Sequence, residues 1–179
     1  EGFHNVTITD LQNELDMGRA TLYYYFKDQD ELFRTCVETY IIEPKQKVLN
    51  SVTEDTCVEE MIQAMMQYLN HLKEALMTFE HKEINTGNVN SIMFTAYGRF
   101  PALHRKAQRL ALKEVELWRK AIYNSQRAGI IKRGIDVDQI ALMFAHIKNS
   151  YDSGLGRAQM NFQLLEKTYY ALYNLIKKE

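Results

Sequence analysis

The chain has 179 residues, 46% of them hydrophobic and 25% charged, with a formal net charge of -1. That balance excludes a uniformly basic protein but leaves room for a local basic face, and 2 Pro with 8 Gly exclude a collagen-like, loop-rich sheet or disordered chain. No run approaches the roughly 18 apolar residues that a membrane helix needs, and Cys36 and Cys57 have neither metal nor redox spacing, so no membrane partner, no disulfide framework and a reducing cytoplasm are expected.

Apolar residues recur at three- and four-residue spacing almost throughout, and no segment alternates with period two, so an all-α fold is expected. In the first 50 residues the helices are short. Thr7-Ile8-Thr9-Asp10 predicts an N-cap with an acid three residues on, opening a helix to about Leu15. Asp16 tolerates the left-handed backbone of a tight turn. Gly18 restarts the chain, and residues 19–26 make a second short helix. Asp28, with Glu31 three residues on, opens a longer helix through Leu32, Phe33, Cys36, Val37, Tyr40 and Ile41, which Pro44 should kink or end. A helix, tight turn and helix of this size form a helix-turn-helix unit. Pro44, Asn50, Ser51 and Thr53 interrupt the apolar pattern, and the boundary between two units is placed between residues 47 and 48.

Beyond it, Val58, Ile62, Met65, Leu69, Leu72, Leu76 and Phe79 step by 4, 3, 4, 3, 4 and 3, one stripe down a helix. Thr56 with Glu59 is its expected capping box. Residues 85–90, with Gly87, read as a loop and a possible pocket lid. A second long helix runs from Pro101 to a stop at Gly129, lined by Leu103, Ala107, Leu110, Ala111, Trp118 and Ile122. A third starts at Asp136, capped with Gln139, and carries Ile140, Phe144, Ile147 and Tyr151. A fourth begins near Asn161 and carries Phe162, Leu165, Tyr169, Leu172 and Ile176.

The five histidines lack metal-ligand companions. No phosphate loop, nucleophile elbow or paired-carboxylate arrangement stands out. Neither an enzyme nor a cofactor or metal site is expected. From Pro101 to Arg133 there are 9 Lys+Arg against 2 Asp+Glu; such a run on a helix reads as a solvated face, or else as a surface for DNA or an acidic partner. The first 50 residues are acidic, with 5 Lys+Arg and 9 Asp+Glu, yet Met17 to Lys27 holds two basic residues and no acid.

From Val6 to Leu11, and on through Leu15-Asp16-Met17-Gly18-Arg19-Ala20-Thr21-Leu22-Tyr23-Tyr24-Tyr25-Phe26 to Leu32, the chain resembles the DNA-binding signature of the TetR family of transcriptional regulators. Asp16 stands where the family commonly has Gly, Gly18 where it has Ser, and Gln29 where it often has Lys. The family's first helix is nearly absent, and the chain opens Glu1-Gly2-Phe3 without Met, so a longer chain is expected.

The resemblance implies an N-terminal helix-turn-helix DNA-binding domain, residues 1–47, followed by a helical-bundle effector and dimerisation domain, residues 48–179. Ile8, Leu11, Leu15, Met17, Leu22 and Phe26 would form the small core between the two short helices. Gly18, Arg19, Ala20, Thr21, Tyr23, Tyr24 and Tyr25 would then lie at the start and outer face of the recognition helix, which reads base edges in the major groove. Arg19 suits guanine or phosphate. Thr7, Lys27 and Gln29 suit phosphate. The implied partners are a pseudo-palindromic DNA operator, a small-molecule effector of unknown identity and a second copy of the chain. Met65, Tyr68, Phe94, Tyr97, Trp118 and His146 would line an effector pocket. Ile140, Phe144, Ile147, Tyr151, Phe162, Leu165, Tyr169, Leu172 and Ile176 would form a four-helix dimer interface. The function implied is a repressor released from its operator by the effector. The alternative is a dimeric helical sensor or carrier of small hydrophobic ligands with an inactive DNA-binding domain.

Overall fold

The computed structural model describes residues 7–15, 19–77, 86–154 and 162–178. The described residues form helices α1 (Ile8–Leu15), α2 (Arg19–Tyr25), α3 (Gln29–Val37), α4 (Glu43–Ser51), α5 (Val58–Met77), α6 (Thr86–Arg99), α7 (Pro101–Arg127), α8 (Val137–Gly154) and α9 (Phe162–Ile176). Among them no strand forms; Ile131 and Lys177 make one isolated antiparallel bridge.

Local chemistry places most helix ends. The Asp28 side chain accepts from the Glu31 amide at 2.8 Å and opens α3. The Gln139 amide donates to Asp136 at 3.1 Å and opens α8. Gly129 takes φ +74, which lets the amides of Gly129 and Ile130 close back on the carbonyls of Gln126 (3.1 Å) and Ser125 (2.9 Å) and stop α7. At α5 the cap differs from expectation. Glu60, not Glu59, accepts from the chain, taking the Cys57 amide at 2.8 Å, while the Thr56 hydroxyl oxygen accepts from the Thr53 amide at 3.0 Å within the preceding turn. The helix starts one residue later than the Thr56–Glu59 pairing requires.

Two further expectations are corrected. Pro44 does not end its helix: a π-helical turn over Glu38–Ile42 joins α3 to α4, with Pro44 in the first turn of α4, so the local distortion is that turn rather than a stop. Proline has no amide to donate and crowds the carbonyl four residues back, and the wider turn absorbs both constraints. Residue 47 therefore lies inside α4. Residues 86–90, read as a loop, are the first turns of α6.

The stripe Val58, Ile62, Met65, Leu69 and Leu72 is buried in the core, as its spacing predicts. On α7 the buried line is Leu103, Leu110, Trp118 and Ile122, with Ala107 half-buried and Ala111 exposed. Two polar residues join that line. Ser125 is buried and its hydroxyl oxygen accepts from the Val58 amide at 3.0 Å, satisfying the start of α5. Glu114 is buried against Lys45 of α4. The centre of the bundle is a stack of Trp118 (α7), Phe144 (α8) and Tyr169 (α9), with ring planes within 9–17° of parallel.

Candidate nucleic-acid interface

The polar residues described in the first two helices are exposed or half-buried. Thr7 and Asp10 cap α1 reciprocally: the Thr7 amide and hydroxyl donate to Asp10 at 2.7 and 2.6 Å, and the Asp10 amide donates back to the Thr7 hydroxyl oxygen at 3.2 Å. The Thr7 hydroxyl, and then its amide, hold the Asp10 carboxyl below the usual carboxylate range. The Thr7 proton is thus already given to Asp10, which weakens the expectation that Thr7 reaches a phosphate.

Arg19 and Ala20 are the first two residues of α2; Gly18 lies outside the described residues. Leu22 is buried, with Phe26 half-buried beside it. The Phe26 amide continues the turn by donating to the Leu22 carbonyl at 2.9 Å. Thr21, Tyr23, Tyr24 and Tyr25 are exposed, Tyr24 at 82%. Tyr25 therefore does not pack into the core; it meets Tyr24 edge-on, with centroids 5.0 Å apart. Lys27 is exposed, and its amide donates to Glu31 at 2.7 Å. Gln29 is half-buried at the start of α3. Leu22, Tyr23, Phe26, Asp28 and Leu32 line a shallow hollow where α2 meets α3.

Two acids of this unit are held by cations of the larger bundle, whereas Asp10, Glu14 and Asp28 are exposed. Asp30 takes Arg99 of α6 at 2.7 Å, and Glu38 takes Lys106 of α7 at 2.6 Å. Glu31 is engaged in the α3 cap and lies 3.9 Å from Arg34. Further along α7, Lys113 donates to Asn50 at 2.6 Å and Lys120 lies 3.0 Å from Glu54. Lys106, Lys113 and Lys120 recur every seven residues, two helical turns apart. The basic run on α7 is therefore not simply a solvated face: Lys106 meets Glu38 of the N-terminal unit, and Lys113 and Lys120 meet Asn50 and Glu54 at and just beyond the end of α4. The charge imbalance between the first 50 residues and α7 was visible in the sequence, but of these contacts only Lys106–Glu38 is an ion pair between the two.

The effector residues differ widely in burial. Met65, Tyr68 and Trp118 are buried, His146 is exposed, and Phe94 is 75% exposed. Tyr97 is half-buried and stacks on His104 at 4.9 Å; burial raises its phenol above the usual range, against the opposing charge of Lys148. The dimer residues are likewise redistributed. Phe144, Ile147, Leu165, Tyr169, Leu172 and Ile176 are buried within the single chain, and Ile140 and Phe162 are half-buried. Their stripes pack mainly against α5 and α7 of the same chain, with Ile140 and Phe162 keeping partial exposure. Tyr151 lies in α8. The exposed apolar residues of α8 and α9 are Leu142, Met143, Leu164 and Leu175. Among the described residues no cluster of His, Cys, Asp and Glu could hold a metal, and no helix is long and apolar enough to cross a membrane.

Residues 1–36 match the family described as bacterial regulatory proteins, tetR family. No curated protein sequence matches the chain. Among solved structures, the TetR family transcriptional regulator PfmR from Thermus thermophilus shares the fold with a TM-score of 0.62 at 15% identity, over 97% of this chain and 88% of that one. The ketosteroid transcriptional regulator KstR2 of Mycobacterium tuberculosis shares it with a TM-score of 0.52 at 16% identity, over 99% and 87%. The superantigen pfit does so with a TM-score of 0.53 at 17% identity, over 100% and 82%. A regulator and a superantigen on one fold mean that the fold alone does not carry the function.

Proposed function

From a chain whose first 36 residues carry the N-terminal domain of the TetR family, we propose a sequence-specific DNA-binding transcriptional regulator. It acts in the bacterial cytoplasm as a homodimeric repressor that leaves its operator when a small molecule binds, without catalysis. One observation carries the reading. The outer face of α2 displays Thr21, Tyr23, Tyr24 and Tyr25, while Asp30 and Glu38 are held by cations of α6 and α7. That arrangement offsets part of the unit's acidity and leaves hydroxyl donors exposed for a phosphate backbone.

In this reading α2 enters the major groove. Arg19 reads guanine or holds phosphate, and close approach is helped by Gly18 and Ala20. The hydroxyls of Thr21, Tyr23 and Tyr24 and the ammonium of Lys27 position the backbone, with Gln29 adding a hydrogen bond but no charge. Two copies pair through the outer faces of α8 and α9, where Leu142, Met143 and Leu164 are exposed, and set the two recognition helices roughly 34–36 Å apart. An effector that favours another separation weakens operator binding by the same factor that the operator weakens effector binding.

The test is a salt-titrated binding assay with DNA from beside the protein's own gene and random DNA as control. Specific binding that fades with salt is expected. Equal weak binding to both DNAs by an intact dimer would instead favour the ligand carrier.

A further inference from the structure

Two donors deep in the bundle have no acceptor. Trp118 Nε1 on α7 and Tyr169 Oη on α9 are both fully buried, and neither has a hydrogen-bond partner. Native cores rarely leave such groups in place without another use for them. Packing does not require them, since a phenylalanine at 169 would fill nearly the same space without a hydroxyl. They belong to neighbouring rings, with centroids 5.8 Å apart and planes 17° from parallel, and Phe144 continues the stack at 4.5 Å from Trp118.

We propose that Trp118 Nε1 and Tyr169 Oη are the polar end of the effector site and take the carbonyl oxygen of an uncharged, flat aromatic molecule. This deepens the ligand-responsive reading above and rests on it. The indole N–H only donates, so its partner must be an acceptor, and a carbonyl oxygen has lone pairs for two donors. A cation offers no acceptor. An anion finds no free cation in Lys45, which is already taken by Glu114, buried one turn before Trp118. The nearly parallel rings suit a flat aromatic body that extends the stack.

The same placement supplies a route to the DNA-binding unit. The rings pack tightly, so a guest must part α7 from α9. α7 also carries Glu114, Lys106, Lys113 and Lys120, which hold Lys45, Glu38, Asn50 and Glu54. A shift of α7 therefore bears directly on α4 and the turns beside it.

The experiment is a calorimetric titration of the full chain with 1-indanone and with indane, which has a methylene in place of the carbonyl. The wild type should bind the ketone about tenfold more tightly than the hydrocarbon. Tyr169→Phe and Trp118→Phe should each lower that ratio, with indane binding unchanged in Tyr169→Phe. Trp118 is the one tryptophan of the chain, so a change in its emission on binding gives a second readout. Absence of ketone binding, equal wild-type affinities, or a preference that survives in both Tyr169→Phe and Trp118→Phe overturns the site. The wild-type ratio decides even if a variant fails to fold. The operator titration contains no ligand, so failure of this site and failure of the regulator reading are told apart.

Discussion

The Lys45 ammonium lies 2.6 Å from the Glu114 carboxylate, tying α4 to the middle of α7 across 69 residues of sequence. The Glu114 side chain is only 6% exposed and that of Lys45 24%. Removing one partner therefore leaves a nearly buried charge uncompensated, and Lys45→Met should cost about 3–5 kcal/mol in urea unfolding. Adding Glu114→Leu should restore most of the loss. A Lys45→Met cost below about 1 kcal/mol, typical of exposed pairs, would show that the pair is effectively solvated.

Tyr169→Phe is expected to raise stability, by about 1 kcal/mol, because it removes a buried hydroxyl that has no partner while conserving the ring. The urea midpoint should rise with an unchanged slope. A fall would mean that the hydroxyl is bonded in solution, to water or to Glu114.

Arg19→Ala is expected to relax specificity at one base pair, costing about 1–3 kcal/mol on the preferred operator and little elsewhere. Competition binding over a set of single-base operator variants separates the roles. Equal losses on every sequence would assign Arg19 to phosphate.

The caps of α1 and α5 predict a response to acid. The hydroxyl and amide of Thr7 hold the Asp10 carboxyl below its usual range, and the Cys57 amide does the same for Glu60. A carboxylate with a depressed folded pKa contributes stability that is present above its unfolded pKa and lost as pH falls through the folded one. Both caps should therefore hold at neutral pH and weaken below roughly pH 4. Carboxyl-carbon NMR titration should place both midpoints below ordinary values; unshifted midpoints would mean the caps are not populated.

Much of the fold was legible because its signals are local. Asp28 with Glu31, Asp136 with Gln139, and Gly129 mark helix ends through contacts three to five residues long. The α5 stripe announces its buried face by spacing alone. α6 was only partly legible, since Asn and Gly near its start resemble a loop when read residue by residue. The exposed positions of α2 were legible through a motif whose spacing is held by Leu22 and Phe26. What the expected effector and dimer positions face was not legible, because a helical stripe states that a face is buried without stating against what. Phe144, Leu165 and Tyr169 fit a second copy or the chain's own core equally well on sequence.

By itself the sequence determined an all-α chain, most of its helix ends and a helix-turn-helix signature, since each follows from residues within a few turns of one another. The tertiary structure decided which faces meet. It turned the α7 lysines onto acids and Asn50 some 63–68 residues away, buried Glu114 against Lys45, and left Trp118 and Tyr169 side by side with unspent donors. Those outcomes depend on how helices distant in sequence cross and pack, which spacing along one helix cannot specify.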